Sequence, residues 1–166
     1  DTATTENYTL SHTTLFRSPP SHQEQLLILL PCSATKPYRL SQSHHRFIRN
    51  IPSNRAHQMM ITSPLGLVPR ELEDLWPAAH YDIPVTGDWD ADELEMVNSM
   101  ISDVCERVGY SEIINHSGMD VSIEGIACHN TRRGTAGSKE SLDELSTFIK
   151  CTVQTGSLRW RKPCEP

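Results

Sequence analysis

The residues best equipped for chemistry lie in one stretch, Gln25 to Phe47, QLLILLPCSATKPYRLSQSHHRF. Between Cys32 and Tyr38 the chain places a thiol (Cys32), two hydroxyls (Ser33, Thr35), an ammonium (Lys36) and a phenol (Tyr38) on one short loop. A cysteine next to a lysine can act as a nucleophile once its pKa is lowered. Ser41 stands where it can cap a helix carrying Ser43, His44, His45, Arg46 and Arg49. An imidazole one turn into that helix titrates near neutrality and can move protons. The alternative is an ordinary surface loop behind a core strand.

These groups need elements to hold them. Leu26-Leu27-Ile28-Leu29-Leu30 is too short for a helix and is bounded by Pro31, as expected of a strand buried on both faces. Polar groups between the carboxyl end of such a strand and the next helix are where open α/β sheets bind ligands. The helix spans about 41–50 and stops at Pro52. A second strand is predicted over His57 to Thr62, followed by a loop from Ser63 to Arg70 that turns at Gly66. A short helix then runs from Arg70 to Leu75, and Trp76-Pro77 closes the unit. Residues 80–90 have no helical period and read as a short strand or extended loop.

Asp90 caps a helix from Ala91 to Val108, with Leu94, Val97, Ile101, Val104 and Val108 recurring every three or four residues and Gly109 ending it. Strands are expected at Tyr110 to His116 and Val121 to Cys128, then a loop from Asn130 to Gly137. A last helix ends near Lys150. Ser138 or Ser141 can start it, and Ser141 with Glu144 makes the better capping box. Alternating strands and helices make an α/β fold with a mainly parallel sheet the economical solution. Residues 1–24 read as a flexible lead-in arm, 25–152 as the domain, and 153–166 as a tail or linker.

At 166 residues the chain suits one domain with a real core. No apolar run approaches the ~20 residues that span a bilayer, so no membrane segment is expected. The first residues show no signal peptide, and the missing initiator Met reads as a fragment or processed segment. Five cysteines, none at metal-ligand spacing, fit free thiols in a cytoplasmic setting rather than a metal site. A net charge of −6 argues against coating nucleic acid by bulk electrostatics. Basic clusters remain at Arg39 to Arg55, Arg132-Arg133 and Arg159 to Lys162, each equally readable as a solvated face.

Pro31-Cys32, Lys36-Pro37-Tyr38, Ser41 and His44 together resemble the PC-x3-KPY-x2-S-x2-H signature of the archaeosine synthase family, archaeal paralogues of tRNA-guanine transglycosylase. The stretch Thr62 to Asp90, TSPLGLVPRELEDLWPAAHYDIPVTGDWD, is similar to the block that follows it in that family. The resemblance implies a three-layer α/β/α sandwich like that of uracil-DNA glycosylases. It implies addition of an amine to the nitrile of preQ0 at position 15 of tRNA, with free lysine as donor and glutamine-derived nitrogen as the alternative. It also implies neighbours: a transglycosylase-like domain and an RNA-binding PUA domain, in cis or in trans, and a radical SAM partner enzyme. It brings no cofactor to this domain. A non-catalytic module that binds tRNA or another subunit is the alternative function.

A nitrile is a weak electrophile, so the implied reaction asks for a deprotonated nucleophile and a proton donor for the imide nitrogen. Cys32, Lys36 and His44 are the candidate catalytic residues: Cys32 as a covalent nucleophile or a small buried residue, Lys36 as an anion holder or surface charge. His44 is the candidate acid or base, or a packing histidine. Ser33, Tyr38 and Ser41 are candidate substrate contacts, with Ser41 equally readable as a plain cap. Ser63 and Arg70 would line the second wall, with Arg70 free for a carboxylate or phosphate. Asp82, and with it Asp88, would receive the ammonium groups of lysine, or form turns. Trp89 is core or a lid.

Overall fold

A computed structural model describes residues 26–52, 56–63, 65–81 and 89–154. The expectations for the lead-in arm, for Arg55, Asp82, Asp88, Cys164 and the Arg159 to Lys162 cluster, and for most of the tail lie outside these residues.

Strand β1, Leu26–Pro31, is the centre of a five-stranded sheet ordered β3-β2-β1-β4-β5. It pairs in parallel with β2, His57–Thr62, and on its other side with β4, Glu112–Asn115. Strand β5, Ala127–Asn130, extends the parallel set, and β3, Gly66–Pro69, runs antiparallel to β2 at the edge. Among the described residues three α-helices cover the sheet: α1, Gln42–Asn50; α2, Ala91–Val108; and α3, Lys139–Gln154.

The apolar run of β1 explains its central place. Leu26, Ile28 and Leu30 enter a core with Phe47 of α1 and Leu145 and Ile149 of α3. Leu27 and Leu29 enter the opposite core with Val97, Ile101 and Val104 of α2. Successive strand residues face opposite sides, so a strand apolar at every position needs helices on both. This gives the three layers, α/β/α.

Local chemistry fixes the ends of α2. The Asp90 carboxylate accepts from the Glu93 N–H at 2.8 Å and Glu93 accepts from the Asp90 N–H at 3.2 Å, a reciprocal capping box. Gly109 closes the helix at φ 79°, the left-handed region where a Cβ is penalised.

Elsewhere the structure corrects the boundaries. Residues 66–69 form β3 rather than part of a loop: Gly66 turns the chain at φ 70°, and the apolar pair Leu67-Val68 is buried against β2 and its neighbours. Pro69 is tolerated because β3 is an edge strand. The expected Arg70 to Leu75 helix is a single 3-10 turn, Arg70–Leu72, followed by further turns. The fourth expected strand starts late, at Ala127, because Gly125 at φ 78° bends the preceding segment. Helix α3 begins after Ser138, whose hydroxyl accepts from the Ser141 N–H at 3.2 Å. Ser141 is buried and donates instead to the Arg133 and Thr135 carbonyls, each at 2.9 Å, so it anchors the preceding loop.

Candidate active site at the carboxyl ends of β1 and β2

Parallel pairing brings the ends of β1 and β2 side by side, with Pro31 opposite Ile61. Cys32 follows β1, half-buried, and Thr62 ends β2, fully buried. Beyond Cys32 the Ser33 hydroxyl accepts from the Thr35 N–H at 3.2 Å, which turns the loop. The loop returns Tyr38 to the core at 0 % exposure. The Tyr38 hydroxyl is hydrogen-bonded to that of Tyr81. The Lys36 Nζ lies 3.8 Å from the centre of the Tyr81 ring, a cation–π contact that places its charge on the same face of the site.

Electrostatics follow from this burial. Desolvation pushes the Cys32 thiol pKa up, and the Lys36 ammonium works against it. Burial likewise raises the Tyr38 and Tyr81 phenols, each also acting on the other. Thiol and phenols are therefore protonated at neutral pH. The Thr62 hydroxyl lies close enough to both phenols to influence them, yet among the described residues it makes no hydrogen bond of proper geometry.

A second, fully connected cluster stands behind this one. Ser41 caps α1, accepting from the His44 N–H at 3.2 Å, which fixes where His44 sits. His44 is fully buried, and its Nε2–H donates to the Pro31 carbonyl at 2.9 Å. The Arg70 Nη2 donates to His44 Nδ1 at 3.1 Å, a contact that requires this neutral tautomer. Burial, then the Arg70 charge, pulls the His44 pKa down to about 3. The other Arg70 nitrogens reach Gln58 Oε1 at 3.2 Å and Glu73 Oε2 at 3.3 Å. Glu73, itself buried, also accepts from the Arg39 N–H at 3.0 Å. Arg70 is thus spent on three protein partners and ties β2 to α1, and both nitrogens of His44 are occupied.

The two clusters touch through the Tyr38 and His44 rings, 5.4 Å between centroids. The stack continues to Phe47 at 5.1 Å and His116 at 5.2 Å. His116, at the end of β4, is held by Thr131 Oγ1 and the Ala136 carbonyl, both at 2.8 Å, and burial lowers its pKa.

The structure therefore brings Cys32, Lys36 and Tyr38 together with Thr62 and Tyr81. It joins Ser41, His44 and Arg70 in the supporting cluster. Ser33 serves the loop turn. Ser63 donates to Glu93, tying the end of β2 to the start of α2. Trp89 packs, half-buried, on the α2 core. Sequence reasoning missed Thr62, Tyr81, Gln58, Glu73 and His116. Thr62 and His116 had a signal, since each sits at the carboxyl end of a strand in a parallel sheet. Among the described residues no His, Cys, Asp and Glu side chains group as a metal site, and no helix is long and apolar enough to cross a membrane.

Comparison with known proteins places this geometry in a family. Residues 9–149 match the family model described as a domain of unknown function, DUF5591. The chain is 47 % identical over 93 residues to archaeosine synthase subunit alpha of Methanosarcina acetivorans, covering 55 % of this chain and 15 % of that protein. It is 51 % identical over 90 residues to archaeosine synthase of Haloferax volcanii, covering 54 % and 15 %. It is 36 % identical over 135 residues to archaeosine synthase of Methanocaldococcus jannaschii, covering 75 % and 23 %. The chain thus spans between about a seventh and a quarter of the length of these relatives. A crystal structure of AF0587, a protein of unknown function, superposes with a TM-score of 0.61 at 24 % identity over 86 % of this chain and 49 % of that one, a likeness of fold. The chain belongs to the DUF5591 domain family, and its likeness to archaeosine synthases is borne out by these relatives.

Proposed function

We propose that this chain is a tRNA-modifying transferase domain of archaeosine biosynthesis, acting in the cytoplasm, that adds an amine across the nitrile of preQ0 carried in tRNA. One observation carries the reading: in a chain related to archaeosine synthases, a thiol, an ammonium and two phenols converge at the carboxyl ends of β1 and β2. The overall step is an addition. The amine nitrogen bonds to the nitrile carbon, one C≡N π bond is lost, and the amine proton ends on the former nitrile nitrogen as an amidine. Free lysine, through its side-chain amine, is the donor we favour over glutamine-derived nitrogen.

Within this reading Cys32 adds first. Its S–H crosses the nitrile, sulfur to carbon and proton to nitrogen, and the amine then displaces the thiol, which leaves as Cys32 again. Burial holds the resting thiol protonated and Lys36 opposes that; the thiolate is the form that attacks, and the proton the thiol gives up is the one the nitrile nitrogen receives. Lys36 stabilises charge building on sulfur or nitrogen. His44 and Arg70 act as positioning residues, since their polar atoms are already engaged. Asp82 would receive the donor's ammonium. The transglycosylase-like and PUA domains would supply tRNA binding, and a radical SAM enzyme would act on the product.

A second reading, a non-catalytic module that positions tRNA or another subunit, draws on Leu40, Leu75 and Trp76. These are 58 %, 52 % and 73 % exposed on turns that the Arg39–Asp74 ion pair joins. Transfer of labelled lysine to preQ0-containing tRNA, abolished in Cys32→Ala, separates the two: a binding module transfers none.

A further inference from the structure

We propose that Thr62, Tyr38 and Tyr81 form a hydroxyl subsite that holds the reacting nitrogen of the ligand, a nitrogen that accepts a hydrogen bond before reaction and donates one afterwards. The inference rests on the transfer reading for the chemistry of that nitrogen.

Thr62 is fully buried at the end of β2, and its hydroxyl has no partner of proper geometry among the described residues. A buried hydroxyl left unpaired is destabilising, and folded proteins rarely keep one without a use. Its hydroxyl lies within electrostatic reach of both phenols. The phenols are hydrogen-bonded to one another, which uses one of their two protons. Their neighbours in the site are the half-buried Cys32 and the Lys36 ammonium over the Tyr81 face. Among the described residues no carboxylate is hydrogen-bonded to the trio.

A hydroxyl rotates and can donate or accept, whereas an ammonium only donates and a carboxylate only accepts. A nitrile nitrogen is an acceptor; the amidine nitrogen formed from it carries hydrogen and donates. Three rotatable hydroxyls serve both states without moving the backbone. Burial keeps the phenols protonated, so the trio remains neutral throughout.

The test uses the free base 7-cyano-7-deazaguanine as probe, with affinity read by titration calorimetry and tyrosine environment by ultraviolet difference absorption. Thr62→Val keeps the shape and removes only the unpartnered hydroxyl, so its melting temperature should equal or exceed that of the wild type while affinity falls about 10-fold, the scale of one lost hydrogen bond. Tyr81→Phe should lose affinity similarly and abolish most of the tyrosine difference signal. Wild-type affinity in Thr62→Val would overturn the subsite. So would a melting temperature several degrees lower, which would reveal a structural partner, or no binding of the base by the wild type. The two readings fail separately. Binding that depends on Thr62 without lysine transfer keeps the subsite and sinks the transferase. Transfer at full rate in Thr62→Val does the reverse.

Discussion

Arg70 offers the sharpest test of the supporting cluster. Replacing it with Met keeps the aliphatic stem and removes the guanidinium. Three contacts vanish together: those to His44 Nδ1, Gln58 Oε1 and Glu73 Oε2. The largest consequence falls on Glu73, 3 % exposed, whose remaining cation is the Arg39 Nη1 at 4.0 Å on a half-exposed side chain. Stranding a buried carboxylate costs about 3–5 kcal/mol, moderated here by the Arg39 N–H and side chain. The unpaired His44 and Gln58 atoms add about 1 kcal/mol each. A net loss of about 4 kcal/mol follows. With an m-value of about 1.5 kcal/mol/M in urea for a domain of this size, the unfolding midpoint should fall by roughly 2–3 M, followed by far-ultraviolet circular dichroism. Arg70→Met with Glu73→Gln should recover about half, because the stranded charge is gone. A loss below about 1 kcal/mol in the single variant, or strict additivity in the pair, would refute the network.

Three further outcomes follow from the same structure. His44 binds its proton near pH 6.5 when unfolded and only near pH 3 when folded, so the unfolded state holds more protons in between. Its contribution is complete above about pH 6.5 and is lost as pH falls toward 3, with a slope of about 1 kcal/mol per unit; denaturation across pH 4–7 should show this slope reduced in His44→Gln. Lys36→Met removes the charge that opposes burial at Cys32, so iodoacetamide should label Cys32 several-fold more slowly near pH 8; an unchanged rate on mass-spectrometric mapping would place Lys36 out of electrostatic reach. Leu29→Ala empties a fully buried position facing α2 and should cost about 3 kcal/mol, read as a lowered urea midpoint.

What the sequence could show depended on whether the cause was local. The β1 run announces a strand buried on both faces, and Asp90 with Glu93 and Gly109 writes both ends of α2 within a few residues. Strand β3 was hidden because four residues flanked by a glycine turn and a proline look like a loop until β2 is there to pair with. Ser141 beside Glu144 has the pattern of a cap. The Arg133 and Thr135 carbonyls claim its hydroxyl, and only the folded loop supplies them.

The site divides the same way. Cys32, Lys36 and Tyr38 share one loop and were legible together. Tyr81 joins them from 43 residues away and Thr62 from the neighbouring strand, contacts that exist only once the sheet forms. Arg70 and His44 show their charge and proton chemistry in the sequence, but not the burial that turns both to structural use.

The most direct test of the central claim is incubation with preQ0-containing tRNA and isotopically labelled lysine, with the remaining domains of an archaeosine synthase supplied in trans. The expected result is label in the tRNA, lost in Cys32→Ala and reduced in Lys36→Met while both variants remain folded. Absence of label with every domain present, or full transfer by Cys32→Ala, would contradict the assignment of chemistry to the ends of β1 and β2.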